Sequence, residues 1–407
     1  MGSSCGPTGP EPGAAAERVI YLDNAATSWP KPPEVLAAVQ HYLLEVGANP
    51  GRAGHFRAAE AGRLVFRARR AVADLLGLHN PMRVVFGANA TWGLNQAIAG
   101  LLRDGDHAVT TTLEHNSVLR PLHRLQEEGR ITLTVVRAAG DGYLDPDEVR
   151  RAVQPGRTAL VAVTAASNVC GTIQPVAEIA ARCRTLGVPL LVDAAQAAGA
   201  VDLDLARDGI DLLAFAGHKG LLGPTGTGGL VLADDFDAAR LRPLTVGGTG
   251  SRSDSVRQPD FLPDVLESGT LNVAGLAGLA AGIDWLHGPG GGPEAVGRHE
   301  LGLRRRFIDQ ATARVEGFQV AGNPAGPAVG VVSFTVEGLS PSDLGQGLAR
   351  EFGVLGRQGL HCAPLAHETL GTFPVGTLRF GFGPFNTAGQ VDLAVAALAE
   401  ICRQERP

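Results

Sequence analysis

One lysine of this 407-residue chain lies where its amine could act as a nucleophile. Lys219 stands in LLAFAGHKGLLGPTGTGGLVL, between two apolar strand candidates and among glycines. An amine that loses solvation among apolar segments has a lowered pKa, and the neutral amine can form a Schiff base with an aldehyde. The alternative is an ordinary lysine of a surface loop. A P-loop is excluded, because Gly220 follows the lysine where that motif requires Ser or Thr.

Only two of the chain's 35 basic residues are lysine, so the setting of each is informative. The second, Lys31 in SWPKPP, is expected to be solvent-exposed where a helix starts. Lys31→Arg should therefore be nearly silent. Lys219→Arg should abolish turnover, because a guanidinium is too basic and too delocalised to form a Schiff base.

A carboxylate ends an apolar strand candidate upstream of Lys219. In GVPLLVDAAQAAGA the apolar run closes on Asp193, and Gln196 follows. Ligands of α/β proteins bind at the carboxyl ends of parallel strands, and a buried carboxylate there needs a cationic partner. The protonated pyridine nitrogen of pyridoxal phosphate would be such a partner. A helix N-cap is the alternative role for Asp193.

Three more polar residues follow strand candidates. Thr91 in FGANATWGLNQAI lies where a helix begins, so its hydroxyl and nearby backbone N–H groups could hold a phosphate. His115 in TTTLEHNSVLRPL could stack on a cofactor ring, and Asn168 in TAASNVCGTIQP could donate to a ring oxygen. Structural roles stay open for all three: a threonine N-cap, a structural histidine and a turn asparagine.

The segment GRQGLHCAPLAH carries a candidate nucleophile. Cys362 lies among glycines, beside His361 and five residues after Arg357. An exposed thiol near cationic groups reacts as the thiolate, whereas a buried cysteine would be inert. Arg379, on the strand candidate in GTLRFGFGPFNT, suits either a bidentate hold on a substrate carboxylate or a structural ion pair.

A parallel sheet would bring these residues together. Between about 58 and 285, helical stretches alternate with seven short apolar runs: RVVFGA, HAVTTT, LTVVRA, ALVAVTAAS, VPLLVDAA, LLAFAG and GGLVLA. This alternation predicts βαβ units around a mostly parallel sheet, preceded by a helix over 32–46. After a Gly/Pro cluster at 288–293, two helices (294–315 and 388–403) and two strand candidates, VGVVSFTV and TLRFGF, indicate a smaller α+β domain.

Composition narrows the class of protein. The net charge of −6 argues against a nucleic-acid-binding protein. No apolar run is long enough for a transmembrane helix, and residues 1–17 lack the apolar core of a secretory signal, so a disordered tail is expected there. Five scattered cysteines without a CxxC pair argue against a disulfide framework or a metal site and fit a cytoplasmic protein.

The order of these motifs resembles the class V (fold type I) enzymes dependent on pyridoxal phosphate, most closely the SufS-like branch of the cysteine desulfurases. YLDNAAT is similar to the family's N-terminal signature, and GRAGH (51–55) falls where the family has an Arg/His segment. AGHKGLLGPTGTGGL is similar to the Schiff-base lysine motif, and RQGLHCAP to this branch's short cysteine loop. The resemblance covers about residues 19–403.

This resemblance implies a division of the chain. A large α/β domain with a mostly parallel seven-stranded sheet would span 32–287 and bind the cofactor. A smaller α+β C-terminal domain over 288–407 would carry the Cys362 loop, and residues 18–31 would pack against it.

The resemblance also implies a role for each candidate residue. The implied catalytic residues are Lys219, Cys362 and His115. The implied ligands of pyridoxal phosphate are Thr91, His115, Asn168, Asp193, Gln196, His218, Lys219 and, reaching the other subunit of a homodimer, Thr270. The implied substrate-binding residues are Asn24, His55, Asn168, Arg357 and Arg379. Ala216 and Ala90 depart from the family pattern, because each lacks a hydroxyl usually found near the phosphate, so cofactor affinity could be weaker or met by backbone groups.

A cysteine desulfurase is the function this resemblance implies. It would convert L-cysteine to L-alanine, form a persulfide on Cys362 and pass the sulfur to an acceptor protein or thiol; L-selenocysteine is a second candidate substrate. Two alternatives stay open. One is another class V enzyme that does not use Cys362, such as a selenocysteine lyase, a cystine lyase or an aminotransferase. The other is a catalytically silent sulfur-relay protein. No metal, nucleic-acid or membrane partner is expected.

Overall fold

The computed structural model describes residues 19–51 and 54–404 of the chain. The tail expected over 1–17 and the middle of the GRAGH segment lie outside the described residues. Within them, no helix is long and apolar enough to cross a bilayer. The described part of the chain also contains no group of three or more His, Cys, Asp or Glu side chains that could hold a metal ion.

A mostly parallel sheet of seven strands forms the centre of the larger part of the molecule. The strands of the described residues are β1 (Ile20–Tyr21), β2 (Val84–Gly87), β3 (His107–Thr111), β4 (Thr132–Val136), β5 (Thr158–Thr164), β6 (Leu190–Asp193), β7 (Leu212–Ala216), β8 (Gly228–Leu232), β9 (Phe318–Ala321), β10 (Val331–Val336), β11 (Val354–Leu355), β12 (Arg357–Gly359) and β13 (Thr377–Gly381). The large sheet has the order β2-β8-β7-β6-β5-β3-β4. β8 is antiparallel to both of its neighbours, and the other pairs are parallel. The seven-stranded, mostly parallel sheet predicted from the sequence is confirmed.

Helices cover the large sheet and bury its strands. The α-helices of the described residues are α1 (Pro33–His41), α2 (Phe56–Leu75), α3 (Ala90–Leu101), α4 (Asn116–Glu127), α5 (Pro146–Ala152), α6 (Val176–Thr185), α7 (Leu205–Asp208), α8 (Val273–His287), α9 (Pro293–Arg314), α10 (Pro341–Phe352), α11 (Pro364–Thr369) and α12 (Ala388–Gln404). β6, β7 and β8 are buried at every residue, as continuous apolar runs predict for strands covered on both faces. The helix predicted over 32–46 is α-helical only through His41 and continues as a π-helical turn, Tyr42–Val46.

A second core lies in the C-terminal part of the chain. There, β12, β13, β10 and β9 form an antiparallel sheet in that order, and Phe307 of α9 packs edge-on against Phe318 and Phe380. Two of these strands, β9 and β12, were not predicted, because both are short and β12 (RQG) lacks β-branched residues. β1 pairs with β11 in parallel, so the N-terminal segment lies against this part of the molecule.

Candidate active site

Seven residues with predicted cofactor contacts line one cavity at the carboxyl edge of the large sheet. They are Thr91, His115, Asn168, Asp193, Gln196, His218 and Lys219. They lie at the ends of β2, β3, β5, β6 and β7 or in the segments that follow these strands. Because these five strands run in the same direction, the segments after them meet at one edge of the sheet.

Lys219 and Asp193 are the oppositely charged pair of this cavity. Asp193 is the last residue of β6 and only 5% exposed. Burial raises the pKa of its carboxyl, while the N–H donated by Ala195 at 2.9 Å and the charge of Lys219 lower it. Burial lowers the pKa of the Lys219 amine to about 8, although the Asp193 carboxylate opposes that change. The amine of Lys219 thus loses its proton more readily than that of an ordinary lysine.

The side chains of His115, Ser117 and Thr91 form a chain of close polar contacts that ends at the start of α3. Nδ1 of His115 accepts the backbone N–H of Ser117 at 3.0 Å and lies 2.8 Å from its Oγ. That Oγ is 2.8 Å from Oγ1 of Thr91. Burial, reinforced by the charge of Lys219, lowers the pKa of His115 to about 4. The imidazole is therefore neutral at pH 7, and since Nδ1 accepts, its proton lies on Nε2.

Asn168 joins the cavity to two other parts of the chain. It is 8% exposed, and its Nδ2 donates to the carbonyl oxygen of His361 at 2.7 Å. The backbone carbonyl oxygen of Asn168 accepts a hydrogen bond from Nη1 of Arg379 at 3.0 Å. The position of Asn168 therefore depends on both the arginine and the turn that carries Cys362.

Cys362 lies in the turn between β12 and α11, and it is exposed. His361 and Cys362 have φ values of 47° and 57°, a left-handed conformation that is uncommon for residues with a β-carbon. The backbone N–H of Asn116, the residue after His115, donates to the carbonyl oxygen of Cys362 at 2.8 Å. The turn is thereby fastened beside the cavity, in agreement with a loop rather than a buried cysteine.

Arg357 and Arg379 share the carboxylate of Asp23. Nη2 of Arg379 lies 3.0 Å from Oδ1, and Nε of Arg357 lies 3.4 Å from Oδ2. The two arginines are opposite each other across the antiparallel β12–β13 pair. Arg379 is only 2% exposed, and its Nε has no hydrogen-bond partner among the described residues. The structural ion pair is therefore present, and one N–H donor of Arg379 remains unused by the described residues.

Lys31 is not the exposed residue that its sequence context predicts. Its side chain is partly buried, and Nζ donates to Oγ of Ser28 at 2.7 Å and to the carbonyl oxygen of His218 at 2.8 Å. Burial lowers the pKa of Lys31 to about 8. The prediction was wrong because a proline-flanked lysine marks the start of a helix without giving the direction of a long side chain. Here that side chain contacts the segment carrying Lys219.

Besides Cys362, Arg357 and Arg379, three further predicted site residues do not line the cavity within this chain. Asn24 borders a small neighbouring space together with Gln196 and Lys219, and its amide bonds to other parts of the fold. His55 is exposed and caps α2, where its Nδ1 accepts a backbone N–H. Thr270 is exposed in the segment before α8. The roles of all three stay predictions.

Three residues of the site were not singled out from the sequence. The sequence marks Asp23 in one way: it is the acidic residue of the otherwise uncharged segment YLDNAAT. Ser117 and Glu114 flank His115 in the polar run EHNS after a buried strand. Glu114 is fully buried, and its Oε1 accepts the hydroxyl of Thr111 at 2.7 Å and a backbone N–H at 2.9 Å. Burial raises the pKa of Glu114 to about 8, so the carboxyl is neutral at pH 7.

Comparison with known proteins identifies the family. The model of the aminotransferase class-V family matches residues 20–393. The chain belongs to this family. A probable cysteine desulfurase of Methanothermobacter thermautotrophicus is 35% identical over 387 residues, which cover 94% of each chain.

Solved structures show the same fold. The apo structure of a cysteine desulfurase from Thermococcus onnurineus gives a TM-score of 0.87 at 32% identity, covering 95% of this chain and 96% of the other. The Escherichia coli cysteine desulfurase CsdA, in an S-sulfonic acid form, gives 0.83 at 28% identity and 96% coverage of each chain. The fold is therefore that of the fold type I enzymes.

Members of this family use pyridoxal phosphate, and the polar groups of the cavity fit it. The amine of Lys219 has the lowered pKa that reaction with an aldehyde requires, and Asp193 is a buried carboxyl without a full cationic partner. Hydroxyls of Thr91 and Ser117 lie at the start of α3, where a phosphate is favoured. Nδ1 of His218 is buried without a hydrogen-bond partner among the described residues.

The two departures from the family pattern lie in this same cavity. Ala90 and Ala216 both line it, and neither brings a hydroxyl. Ser117 does bring one, beside that of Thr91. The cavity therefore retains two hydroxyl groups at the N-terminus of α3.

Proposed function

We propose that this chain is a cysteine desulfurase that removes sulfur from L-cysteine, releases L-alanine and carries the sulfur on Cys362. The observation that carries the proposal is the fastening of an exposed cysteine to the cavity of Lys219. Asn116 and Asn168 hold the carbonyl oxygens of Cys362 and His361, respectively. The relatives' names, cysteine desulfurase and probable cysteine desulfurase, support the same reaction.

Residues of the cavity would hold pyridoxal phosphate by its three polar parts. Lys219 would bind the aldehyde carbon, and Asp193 would pair with the pyridine nitrogen. Thr91, Ser117 and His218 would contact the phosphate. Bound in this way, the cofactor supplies an electron sink for the bonds broken at the substrate's α-carbon.

Gln196 and Asn168 would donate hydrogen bonds to the ring oxygen of the cofactor. Nε2 of Gln196 now donates to the carbonyl oxygen of Ala25 at 2.9 Å, and Nδ2 of Asn168 to that of His361 at 2.7 Å. Each amide nitrogen has a second N–H for the ring. His115 would lie on the face of the ring as a neutral imidazole, since its pKa is lowered by burial first and by Lys219 next.

Arg379 would bind the substrate's carboxylate. Its Nε–H is unpaired among the described residues, and the guanidinium is held by Asp23 and by the carbonyl oxygen of Asn168. A guanidinium oriented at two of its nitrogens presents its remaining donors in a fixed direction. Arg357, which is half exposed, would add positive charge at the outer side.

Lys219 and Cys362 would carry the proton and sulfur steps. As a neutral amine, Lys219 would take the substrate's α-proton as a general base. The thiolate of Cys362 attacks the substrate sulfur, an S–S bond forms as the C–S bond breaks, and the electron pair of the C–S bond stays with the carbon fragment. Protons delivered to that fragment give L-alanine. The balance is one thiol and L-cysteine converted to one persulfide and L-alanine.

Partners and assembly are also proposals. L-cysteine is the substrate, L-selenocysteine a second one, and a protein or small thiol the sulfur acceptor. The exposure of Thr270 away from its own chain's cavity supports a homodimer in which it contacts the phosphate of the other subunit. The two hydrophobic cores support the division into 32–287 and 288–407, and the scattered cysteines support a cytoplasmic location.

Replacing the proposed sulfur carrier tests this function. Wild type, Cys362→Ser and the matched control Cys183→Ala, which changes a buried cysteine of α6, are loaded with pyridoxal phosphate. Each is given L-cysteine or L-selenocysteine, L-alanine is measured, and alkylated Cys362 is analysed by mass spectrometry for one added sulfur atom. We expect Cys362→Ser to lose alanine formation from L-cysteine by at least about 100-fold, the usual effect of removing a nucleophile. The control should retain it.

Two other outcomes would contradict the proposal. Undiminished alanine formation from L-cysteine by Cys362→Ser would indicate a class V enzyme that does not use this cysteine. A wild-type protein with no visible absorption band after addition of pyridoxal phosphate would indicate a catalytically silent protein.

A further inference from the structure

The segment before α1 contacts the carbonyl oxygens of the two residues at the centre of the cavity. The backbone N–H of Ser28, Oγ1 of Thr27 and Nζ of Lys31 all donate to the carbonyl oxygen of His218, at 3.1, 3.2 and 2.8 Å. Oγ of Ser28 donates to the carbonyl oxygen of Lys219 at 2.9 Å. We call residues 27–31 the clasp.

Lys31 is the charged member of the clasp and supports it at two points. Its Nζ donates to Oγ of Ser28 at 2.7 Å as well as to His218. An ammonium that donates to this hydroxyl leaves the hydroxyl proton free for the carbonyl oxygen of Lys219. Hydrogen bonds from a charged donor are about twice as strong as neutral ones. Lys31 therefore acts on His218 directly and on Lys219 through Ser28.

Burial of Lys31 is not explained by an ion pair. In the part of the chain that the structure describes, its amine has no carboxylate within 4 Å, and its pKa is lowered by burial alone. Its hydrogen-bond acceptors are a carbonyl of the segment carrying Lys219 and a hydroxyl that contacts the same segment. A lysine that only covered apolar surface would keep its amine in water.

The segment that receives the clasp also has backbone hydrogen bonds to its own surroundings. Gly217 donates to the carbonyl oxygen of Thr227 at 2.9 Å, and Leu222 donates to that of Lys219 at 2.9 Å. Nδ1 of the His218 ring is buried without a partner among the described residues. Among the described residues, however, the carbonyl oxygen of the peptide between His218 and Lys219 accepts hydrogen bonds only from the clasp, so the orientation of that peptide depends on the clasp.

We infer that Lys31 is a positioning residue: by holding the carbonyl oxygens of His218 and, through Ser28, of Lys219, it fixes the backbone from which the Lys219 amine reaches the cavity. This inference rests on the proposed function, in which that amine reacts. The two lysines of the chain then act together: Lys219 reacts, and Lys31 fixes the backbone that carries Lys219. A displacement of about 1 Å in a reacting group can lower a rate by about 100-fold.

Two variants and one matched control separate positioning from simple stabilisation. Lys31→Met removes the charge and donors at similar length, and Ser28→Ala removes only the hydroxyl. The control is Arg103→Met. Arg103 is also partly buried and donates to three backbone carbonyls, but at the opposite end of α3 from the cavity.

Each protein is measured for four quantities: the dissociation constant of pyridoxal phosphate from the apo protein, kcat, KM for L-cysteine and the midpoint of thermal unfolding. For Lys31→Met we expect kcat to fall by about tenfold or more and the dissociation constant of the cofactor to rise by about tenfold. KM should stay within about twofold, because Arg357 and Arg379 are untouched. Ser28→Ala should shift the same quantities less. Arg103→Met should lower only the unfolding midpoint.

The inference would be overturned if Lys31→Met and Ser28→Ala kept kcat and cofactor affinity while their unfolding midpoints fell as in Arg103→Met. The clasp would then only fasten the N-terminal segment. Failure of the proposed function looks different, because wild type itself would form no coloured complex or no alanine. Active wild type with unaffected clasp variants contradicts the inference alone.

Discussion

In the cofactor-free protein, the amine of Lys219 should lose its proton near pH 8. Burial lowers its pKa to about 8, with Arg379 and Arg357 acting in the same direction and Asp193 and Asp23 opposing them. At pH 7 about one tenth of this amine would be uncharged, against about one in 3,000 for a lysine with a pKa of 10.5. The fold should therefore raise the reactive fraction by about 300-fold.

The rate at which pyridoxal phosphate attaches to the apo protein measures this fraction. We would follow the visible absorption band between pH 6 and 10 and divide each rate by that of Nα-acetyl-lysine amide, whose only amine is the ε-amine; this corrects for ionisation of the cofactor. Relative to this reference, the rate should be highest near neutral pH, and the uncorrected rate should level off above about pH 8. A protein profile that still rises tenfold per pH unit at pH 9 would refute a lowered pKa.

Asp193→Asn tests the sign of the electrostatics. The Asp193 carboxylate favours the charged amine, so its removal should lower the pKa of Lys219 further and move the midpoint down by about one pH unit. An upward move would show that the carboxylate does not face the amine as the structure has it. Lys219→Arg, which has no amine of this kind, should show no band and no turnover.

Other substitutions test the surroundings of the cavity. Asp23→Asn should lower the free energy of unfolding by about 3 kcal/mol, because it leaves Arg379 buried beside no carboxylate; Asp392→Asn, at an exposed ion pair with Arg306, should lower it far less in the same urea titration. Glu114→Gln should gain stability relative to wild type as the pH rises from 5 to 8. Its folded pKa of about 8 lies above the ordinary glutamate pKa of 4.5, so wild-type stability falls through that window while the neutral amide is unaffected. Gly376→Ala should destabilise the protein, because a β-carbon at φ 83° would contact the backbone of Gly359; an unchanged melting temperature would contradict this.

The large sheet and most of the cavity could be predicted because both depend on short stretches of sequence. Each strand is a continuous apolar run, and the polar residues after it are close in the chain, as Asp193 is to β6. Parallel strands then place those residues at one edge whatever the loops between them do. Seven of the eight predicted cofactor ligands consequently line a single cavity of one chain.

Contacts between distant parts of the chain could not be predicted in this way. Asp23 and Arg379 are 356 residues apart, and the bridge between Asp23 and Gly381 brings them together, next to the pairing of β1 with β11. The strand β12 lies in a glycine-containing segment whose sequence is typical of a loop. The direction of the Lys31 side chain could not be predicted from the sequence either, because a residue between two prolines belongs to no periodic helix or strand pattern.

The way Cys362 is held has a consequence for sulfur transfer. Its turn is short, and the carbonyl oxygens of its residues 361 and 362 accept hydrogen bonds from Asn168 and Asn116, which also border the cavity or adjoin it. Moving the thiol far from the cavity would break both of these hydrogen bonds, one of them made by a residue whose backbone carbonyl oxygen also accepts from Arg379. The side chain that fixes the turn is thus linked to the arginine proposed to hold the substrate. Under the proposed function, we therefore expect a sulfur acceptor to approach the exposed thiol where it is, because carrying the sulfur outward would cost both hydrogen bonds of the turn.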